Sequence, residues 1–344
     1  MLIRLSSVLI ACAFAAGASA ALAQTSPAAA PPTSAKSESG TIVAPVIVGG
    51  AAPPKVIQQQ TWSFVQAYAD AAPRLGLIGR WREPICVKVV NLTPEQGAMV
   101  QARVEQVARG VGLPVRKAGC ESNIQIVLSS QPQTFVDTVA KNNEHALGYH
   151  LPSDLKKVKT VSHPIQAWYK TATQSAKLGM DGLDWAIQDS SGHYINTKEV
   201  AGFPFAPGGE SVDTPNSPLP MGCAGSLISD CTRSIFKNVL VVVDSRAVAG
   251  KDLGVVADYV ALLALSQVKP GDGCSPLPSI LDLLAKSACP GRDPPAELTP
   301  ADAAYLTALY ASNPESTATT QRGDMAGRMA EMLIKANAEA KPRN

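Results

Sequence analysis

The sequence is poor in aromatic and charged residues. Aromatic residues make up 5% and charged residues 17% of the 344 residues, and the formal net charge is +2. A net charge this close to neutral does not provide the basic surface that nucleic-acid binding needs, so we expect no nucleic-acid partner.

The P-loop, the dinucleotide-binding glycine motif, the G-x-S-x-G elbow and H-E-x-x-H are all absent. The sequence therefore has no motif of a nucleotide-binding protein, a serine hydrolase or a zinc protease.

Histidine is also scarce. The four histidines are His145, His150, His163 and His193. His145 and His150 stand five residues apart, which does not place them on one face of a helix. Together with carboxylates they could form a metal site, but no metal-binding spacing supports one. We expect neither a metal nor a cofactor.

The N-terminus has the organisation of a secretory signal peptide. Arg4 supplies the positive charge, residues 9–18 form the apolar core, and an A-x-A cleavage site ends at Ala23 before Gln24. A lipoprotein box ending at Cys12 is the alternative. We favour cleavage after Ala23, because the apolar run before Cys12 is short and continues beyond it. We therefore expect a periplasmic or secreted protein without a membrane span in the mature chain.

Cysteine usage in the mature chain predicts disulfides. Removal of the signal peptide leaves Cys86, Cys120, Cys223, Cys231, Cys274 and Cys289. An even number of cysteines in an exported chain favours disulfide bonds over free thiols. A metal-thiolate site would need close C-x-x-C pairs, which are absent. Of the fifteen pairings that six cysteines allow, we prefer sequential pairing, in which each bond brackets one local unit.

The stretch from 239 to 267 is predicted to form the centre of the fold. The run 239–243 is apolar at every position, which is typical of a strand covered on both faces. Residues 253–265 carry one charge in thirteen and predict a buried helix spanning about 252–267. The charge is Asp258, and a buried carboxylate must be paired, hydrogen-bonded or protonated. It is either a structural tether to a backbone amide or an arginine, or a functional carboxylate in a cleft.

Alternating strand and helix patterns predict an α/β layer in which helices pack on a sheet, and disulfides are expected to cross-link the domain. Thr93 and Thr299 each precede a proline and are predicted N-caps. The spacing over 61–72 predicts a helix with Trp62 on its buried stripe. The predicted organisation is a signal peptide at 1–23, a disordered Ala/Pro/Ser-rich tether at 24–55, one domain at 56–312, and a C-terminal amphipathic helix and tail at 313–344.

Two further segments have alternative interpretations. Residues 180–233 are rich in Gly, Pro and Ser, and an irregular excursion of this length is usually functional or mobile. In the tail, Met325, Met329 and Met332 recur at helical spacing. This stripe is predicted to pack on the domain, with a partner-binding helix as the alternative.

Residues 255–310 resemble the C-terminal half of a zincin-type metalloprotease domain of the matrix-metalloprotease kind. In that family a helix bearing H-E-x-x-H-x-x-G is followed by a turn with Ser-Ile, then by a helix that begins like Leu-Thr-x-x-Asp and ends with Leu-Tyr. Here the segment 257–265 stands in place of the zinc helix. Ser279-Ile280 follows, and the segment from Leu298 to Tyr310 closes the pattern. The chain is also similar to uncharacterised secreted proteobacterial families with a degenerate version of that domain.

The departures from the family pattern fall on the metal site. Ala257 and Ala261 stand where the family has its two zinc histidines, and Asp258 stands where it has the general-base glutamate. Without two imidazoles the three-ligand catalytic zinc cannot form. The resemblance thus implies an α+β zincin-like scaffold with a mixed sheet and without its metal, which could bind an extended peptide along a sheet edge.

The sequence therefore predicts an exported cell-envelope protein that is not an enzyme and that binds a peptide or another envelope protein. One alternative is a hydrolase in which Asp258 acts as the catalytic acid or base. Another is a structural component of the envelope.

Overall fold

The computed structural model describes residues 52–73, 76–150, 152–175, 181–183 and 232–339. The predicted signal peptide, most of the predicted tether and most of the 180–233 excursion lie outside these residues. Cys223 and Cys231 also lie outside them, and with them the predicted pairing of these two cysteines.

A five-stranded mixed sheet forms the centre of the fold. Its strands are β1 (Val87–Val90), β2 (Ile124–Ser129), β3 (Ile165–Ser175), β4 (Asp181–Leu183) and β5 (Thr232–Asp244). The strand order is β1-β2-β5-β3-β4. β1, β2 and β5 run parallel, whereas β3 is antiparallel to β5 and β4 is antiparallel to β3. The predicted α+β class with a mixed sheet is confirmed.

Helices lie on both faces of this sheet. They are α1 (Pro54–Tyr68), α2 (Pro94–Gly110), α3 (Pro132–Asn143), α4 (Leu155–Val158), α5 (Leu253–Leu265), α6 (Pro300–Ala311) and α7 (Ala318–Glu339). Short 3₁₀ helices span Glu144–Leu147, Pro152–Asp154 and Ile280–Leu284. The predicted caps are confirmed, since Thr93 accepts a hydrogen bond from Gln96 N and Thr299 accepts one from Asp302 N. No helix within the described ranges is long and apolar enough to cross a membrane.

The apolar run 239–243 is covered on both faces, as its sequence predicts. Val239, Val241 and Val243 belong to the large core that contains α5. Leu240 and Val242 belong to a second core on the other face, with α3. The connection after β2 therefore covers one face, and the connection after β5 covers the opposite face.

Strand β5 begins at Thr232, well before the predicted strand at Val239. Its first half contains Thr232 and Ser234, which are buried where β5 pairs with β3. Thr232 and Ser234 are polar and interrupt the apolar pattern of this half, although Ile235 and Phe236 are apolar and buried. Strand β3 is also long and runs from Ile165 to Ser175.

The buried stripe of α1 is shifted from its predicted position. Trp62 is 46% exposed, and the buried positions are Ile57, Thr61, Phe64, Val65 and Tyr68. The predicted stripe was wrong at this point because polar Thr61 occupies a core position, whereas its neighbour Trp62 faces outward. The methionine stripe of α7 packs on the domain as predicted, with Met325 and Met329 fully buried.

Two of the predicted disulfides are present. Cys86 pairs with Cys120 across a Cα–Cα distance of 6.2 Å, and Cys274 pairs with Cys289 across 5.5 Å. Cys86 is buried at the start of β1, whereas Cys274 is exposed. Such bonds fit a compartment outside the cytoplasm.

We predict that the two disulfides differ in their resistance to reduction. Because thiol exchange needs access to a sulfur atom, a low concentration of dithiothreitol should open Cys274–Cys289 before Cys86–Cys120. Timed alkylation and mass spectrometry of the native protein measure the order. The same non-reducing digest tests the predicted Cys223–Cys231 bond. Earlier alkylation of Cys86 would contradict the expected order.

Arg80 is a buried cation that joins the C-terminal helices. It is 2% exposed, and burial lowers its pKa to about 10. Its guanidinium donates hydrogen bonds to the carbonyl groups of Leu309 and Ser312 at the end of α6. It also donates to Gln321 Oε1 in α7 at 3.1 Å. The negative end of the α6 dipole thus stabilises the charge.

Arg80→Met should lower the free energy of unfolding by about 2–4 kcal/mol, because it leaves several buried acceptors without donors. Urea denaturation followed by circular dichroism measures this loss. Arg82→Met is the matched control at an exposed arginine two positions along the chain, and we expect a change within about 0.5 kcal/mol. Equal effects of the two substitutions would show that Arg80 does not tie the helices together.

Candidate functional site

Asp258 lies between α5, α2 and the segment before α6. Its residue exposure is 2%. Its two carboxylate oxygens accept hydrogen bonds from Arg103 Nε at 2.5 Å and Arg103 Nη2 at 3.1 Å. The second oxygen also accepts a hydrogen bond from the backbone N–H of Leu298 at 2.9 Å. The hydrogen bond to Asp258 raises the pKa of Arg103. Both partners of the predicted structural tether, an arginine and a backbone amide, are thus present.

Helix α5 is enclosed by the core along most of its length. All residues from 255 to 265 are buried. Ala257 and Ala261, the residues that the sequence resemblance would place at zinc-ligand positions, are fully buried. Asp258 is 2% exposed, so a substrate could reach its carboxylate only if the side chains around it moved.

The Ser279-Ile280 turn is tied to α6 by a buried carboxylate. Asp302 is fully buried and accepts hydrogen bonds from Ser279 Oγ at 2.5 Å and from the N–H of Ile280 at 2.7 Å. It also accepts from Thr299 N and Oγ1. Burial raises the pKa of Asp302, while these hydrogen bonds act in the opposite direction. This arrangement fixes the turn on the helix and does not expose a reactive oxygen.

No family model, curated protein or solved structure matches this chain. Among the described residues, no group of three or more His, Cys, Asp or Glu side chains is placed to hold a metal ion. His150 Nε2 lies 3.1 Å from Glu144 Oε1, and its Nδ1 lies 2.9 Å from the carbonyl oxygen of Gly148. His145 is not part of that pair, and His193 lies outside the described residues.

The outer edge of β3 is largely covered. β4 pairs with Ala172, Thr173 and Gln174. Gly148, at φ +81°, lies against Tyr169 so closely that a Cβ would meet its carbonyl oxygen at 2.2 Å. Ile165 is fully buried. This side of β3 therefore offers an added peptide little open main chain, and a second surface is formed by the strand ends.

That surface lies at the carboxyl ends of β2 and β5, where a cleft has a volume of about 480 Å³. Segments after β2, before β3 and after β5 line it, with residues Gln131, Pro132, Gln133, Thr134, Val161, Ser162, His163, Pro164, Asp244 and Arg246. The helices that follow β2 and β5 cover opposite faces of the sheet. A crevice at such a switch point is the usual binding position in open α/β sheets.

A second cleft of about 400 Å³ adjoins the first at Gln133. Its other lining residues are Asp137, Ser153, Leu155, Lys156, Lys159 and Thr160. We call the two clefts together the strand-end groove. Each cleft has the volume of a typical small-ligand site.

Two glutamines hold the segment 159–163, which forms one wall of the groove. Gln133 accepts a hydrogen bond from Val161 N at 2.8 Å and donates one to the carbonyl of Lys159 at 2.7 Å. Gln166 in β3 bonds further backbone groups of the segment, at Thr160, Ser162 and His163. The wall is therefore shaped by the domain before any ligand arrives.

The charges that line the groove sum to a small positive value. Three cations, Lys156, Lys159 and Arg246, stand against two carboxylates, Asp137 and Asp244. Asp244 accepts hydrogen bonds from Arg246 Nε and Nη2, each at 3.2 Å. This pairing lowers the pKa of Asp244 and raises that of Arg246.

Sequence reasoning missed this groove. Of the residues considered from the sequence alone, His163 lies in its lining. The sequence offered one sign of the groove, which is the position of two polar residues. Ser129 and Asp244 each follow an apolar strand run, and they lie side by side at the carboxyl ends of β2 and β5. The glutamines carry no motif, and only the fold brings them together.

We predict that Asp258→Asn lowers the free energy of unfolding by about 1–3 kcal/mol, because Arg103 loses a charged partner while the Leu298 amide keeps an acceptor. Chemical denaturation measures this. Asp324→Asn is the control, since Asp324 forms an exposed pair with Arg328 and such pairs contribute little. An Asp258→Asn variant as stable as the wild type would exclude the tether.

Proposed function

We propose that this chain is an exported, non-catalytic cell-envelope protein that binds a peptide or another protein. The observation that carries the proposal is the enclosure of α5. The helix that would bear catalytic groups in a zincin lies inside the core, and its carboxylate is engaged by Arg103 and Leu298. Binding must then take place elsewhere, and the strand-end groove supplies a surface for it.

A zincin-like origin of the scaffold is part of the proposal. Parallel strands with an antiparallel neighbour, α2 packed on α5, and the Ser279-Ile280 turn fixed to α6 support it. They follow the order of elements on which the resemblance rests.

The proposed location is the periplasm or the extracellular space. The N-terminal sequence pattern, with cleavage near Ala23, supports export. The two disulfides support an oxidising compartment.

The alternatives make different demands on Asp258. A hydrolase would need this carboxylate to reach a substrate, whereas its 2% exposure and three hydrogen bonds favour a structural role. A purely structural envelope component would not need a preformed groove, so the segment held by Gln133 and Gln166 favours binding.

Blocking the groove tests the proposal. Peptides selected from a random display library on the oxidised mature protein should bind Thr134→Trp at least about tenfold more weakly, because the indole would fill the first cleft. Fluorescence anisotropy of the selected peptides measures the affinity. Thr138→Trp is the matched control, since Thr138 is exposed one turn later on α3 and does not line the groove. Failure to select any peptide, or equal binding to both variants, would overturn the proposal.

A further inference from the structure

We propose that the turn formed by residues 144–150 is a pH-sensitive clamp, which fixes one end of the strand-end groove while both ring nitrogens of His150 carry a proton. We call these residues the histidine turn. Peptide binding in the groove should then be tighter at about pH 6 than at about pH 8. This inference rests on the proposed peptide-binding function and adds its regulation.

Both ring nitrogens of His150 face hydrogen-bond acceptors. Nδ1 lies 2.9 Å from the carbonyl oxygen of Gly148, and Nε2 lies 3.1 Å from Glu144 Oε1. A neutral imidazole has a single N–H, so it can donate to one of these oxygens and turns a lone pair toward the other. An imidazolium donates to both. The geometry of the turn therefore selects the protonated side chain, and histidine exchanges this proton between about pH 5 and 8.

The two acceptors of His150 differ in their freedom to move. Gly148 is pressed against the carbonyl group of Tyr169 in β3, and buried Leu147 anchors the turn in the core on that face of the sheet. The Glu144 side chain, by contrast, is 39% exposed. When His150 loses a proton, Glu144 should therefore move into water while the ring keeps its bond to Gly148. The charged pair thus stabilises the turn at low pH, and this contribution is lost as the pH rises.

Glu144 is the charged partner of His150. The elements packed on this turn are α3, β3 and β5. Within the described ranges, no charged side chain of these three elements lies within ion-pair distance of His150. Their charged residues are Asp137, Lys141, Lys170, Arg233, Lys237 and Asp244, and the other titratable residues of the turn are His145 and Tyr149. Removal of the Glu144 charge is therefore the direct test of the clamp.

The histidine turn leads into the wall of the second cleft. Pro152 starts the next 3₁₀ helix two positions after His150, and the chain from 153 to 160 contributes most of the cleft lining. Gln133 holds the other end of this wall, at residues 159–161, through amide groups that do not titrate. The wall is thus held at one end at every pH, and it is held more firmly at the other end while His150 is charged.

Hydrogen exchange of the mature, oxidised protein tests the clamp without a ligand. Protection factors, corrected for the intrinsic pH dependence of exchange, should fall at least about fivefold from about pH 6 to about pH 8 for amides of residues 144–158, because a charge-assisted hydrogen bond is lost. In Glu144→Gln the change should be less than about twofold, because the remaining acceptor is neutral. His145→Gln is the matched control. It removes a histidine of the same turn that is not part of the pair, and it should retain the full change.

Peptide affinity at two pH values tests the coupling of the clamp to the groove. Peptides selected on the groove are synthesised without histidine or cysteine and with both ends blocked, so that they do not titrate in this range. They should bind at least about threefold more weakly at about pH 8 than at about pH 6, and Glu144→Gln should bind them alike at both. His163→Gln is the control, because His163 lines the first cleft and carries its own proton. This variant should keep the pH dependence.

The outcomes separate this inference from the proposed function. Protection of the turn that does not depend on pH, or a pH dependence that persists in Glu144→Gln, would overturn the clamp and leave peptide binding standing. A clamp that opens without any change in peptide affinity would overturn its role at the groove. If no peptide binds, the proposed function and the regulatory role both fail, and the exchange measurement still decides whether the clamp exists.

Discussion

Helix α5 has to be enclosed on every side, because its residues from 255 to 265 are all buried and nearly all apolar. The rest of the fold provides that enclosure: the sheet lies on one side, and α2, α6 and the 3₁₀ helix at Ile280–Leu284 lie around the others.

Burying a helix end is costly unless its backbone groups find partners. The carbonyl groups of the last turn accept hydrogen bonds from three aromatic side chains, those of Trp81, Tyr169 and Tyr310. At the other end, Asp252 accepts from the N–H groups of Gly254 and Val255. Aromatic residues are scarce in this chain, and several of them satisfy this one helix.

An apolar helix in an apolar core has little to fix its rotation, since hydrophobic contacts are not directional. Asp258 is the charged residue of α5, and its partners come from α2 and from the segment that leads into α6. A buried ion pair adds little to stability compared with apolar packing, but it penalises every arrangement in which the charge is unpaired. We infer that Asp258 sets how α5 is rotated against α2 and α6. A carboxylate that serves as such an anchor is not available to activate water, which supports the proposed non-catalytic function.

Apolar patterns made the centre of the fold predictable. The run 239–243, the helix after it and the cysteine pairs at 86–120 and 274–289 follow from burial and from the chemistry of an exported chain. Polar residues in buried positions made other features unpredictable. Buried Thr61 made the predicted stripe of α1 wrong. Buried Thr232 and Ser234 made the start of β5 hard to recognise. The groove could not be predicted for the same reason, because Gln133 holds backbone groups of Lys159 and Val161 that are distant from it in sequence.

The position of the groove follows from the enclosure of α5. Once the first core is closed around that helix, the connection after β2 can cover only the other face of the sheet, and α3 does so. The chain must then pass from one face to the other between β2 and β5, and the ends of these strands are left between diverging connections. Polar side chains are needed there, because backbone groups of the connecting segments have no strand partners. Gln133, Gln166 and Asp244 supply them, and in doing so they leave a shaped, charged recess outside the core. The domain thus encloses α5 and still has an open recess at the ends of its strands.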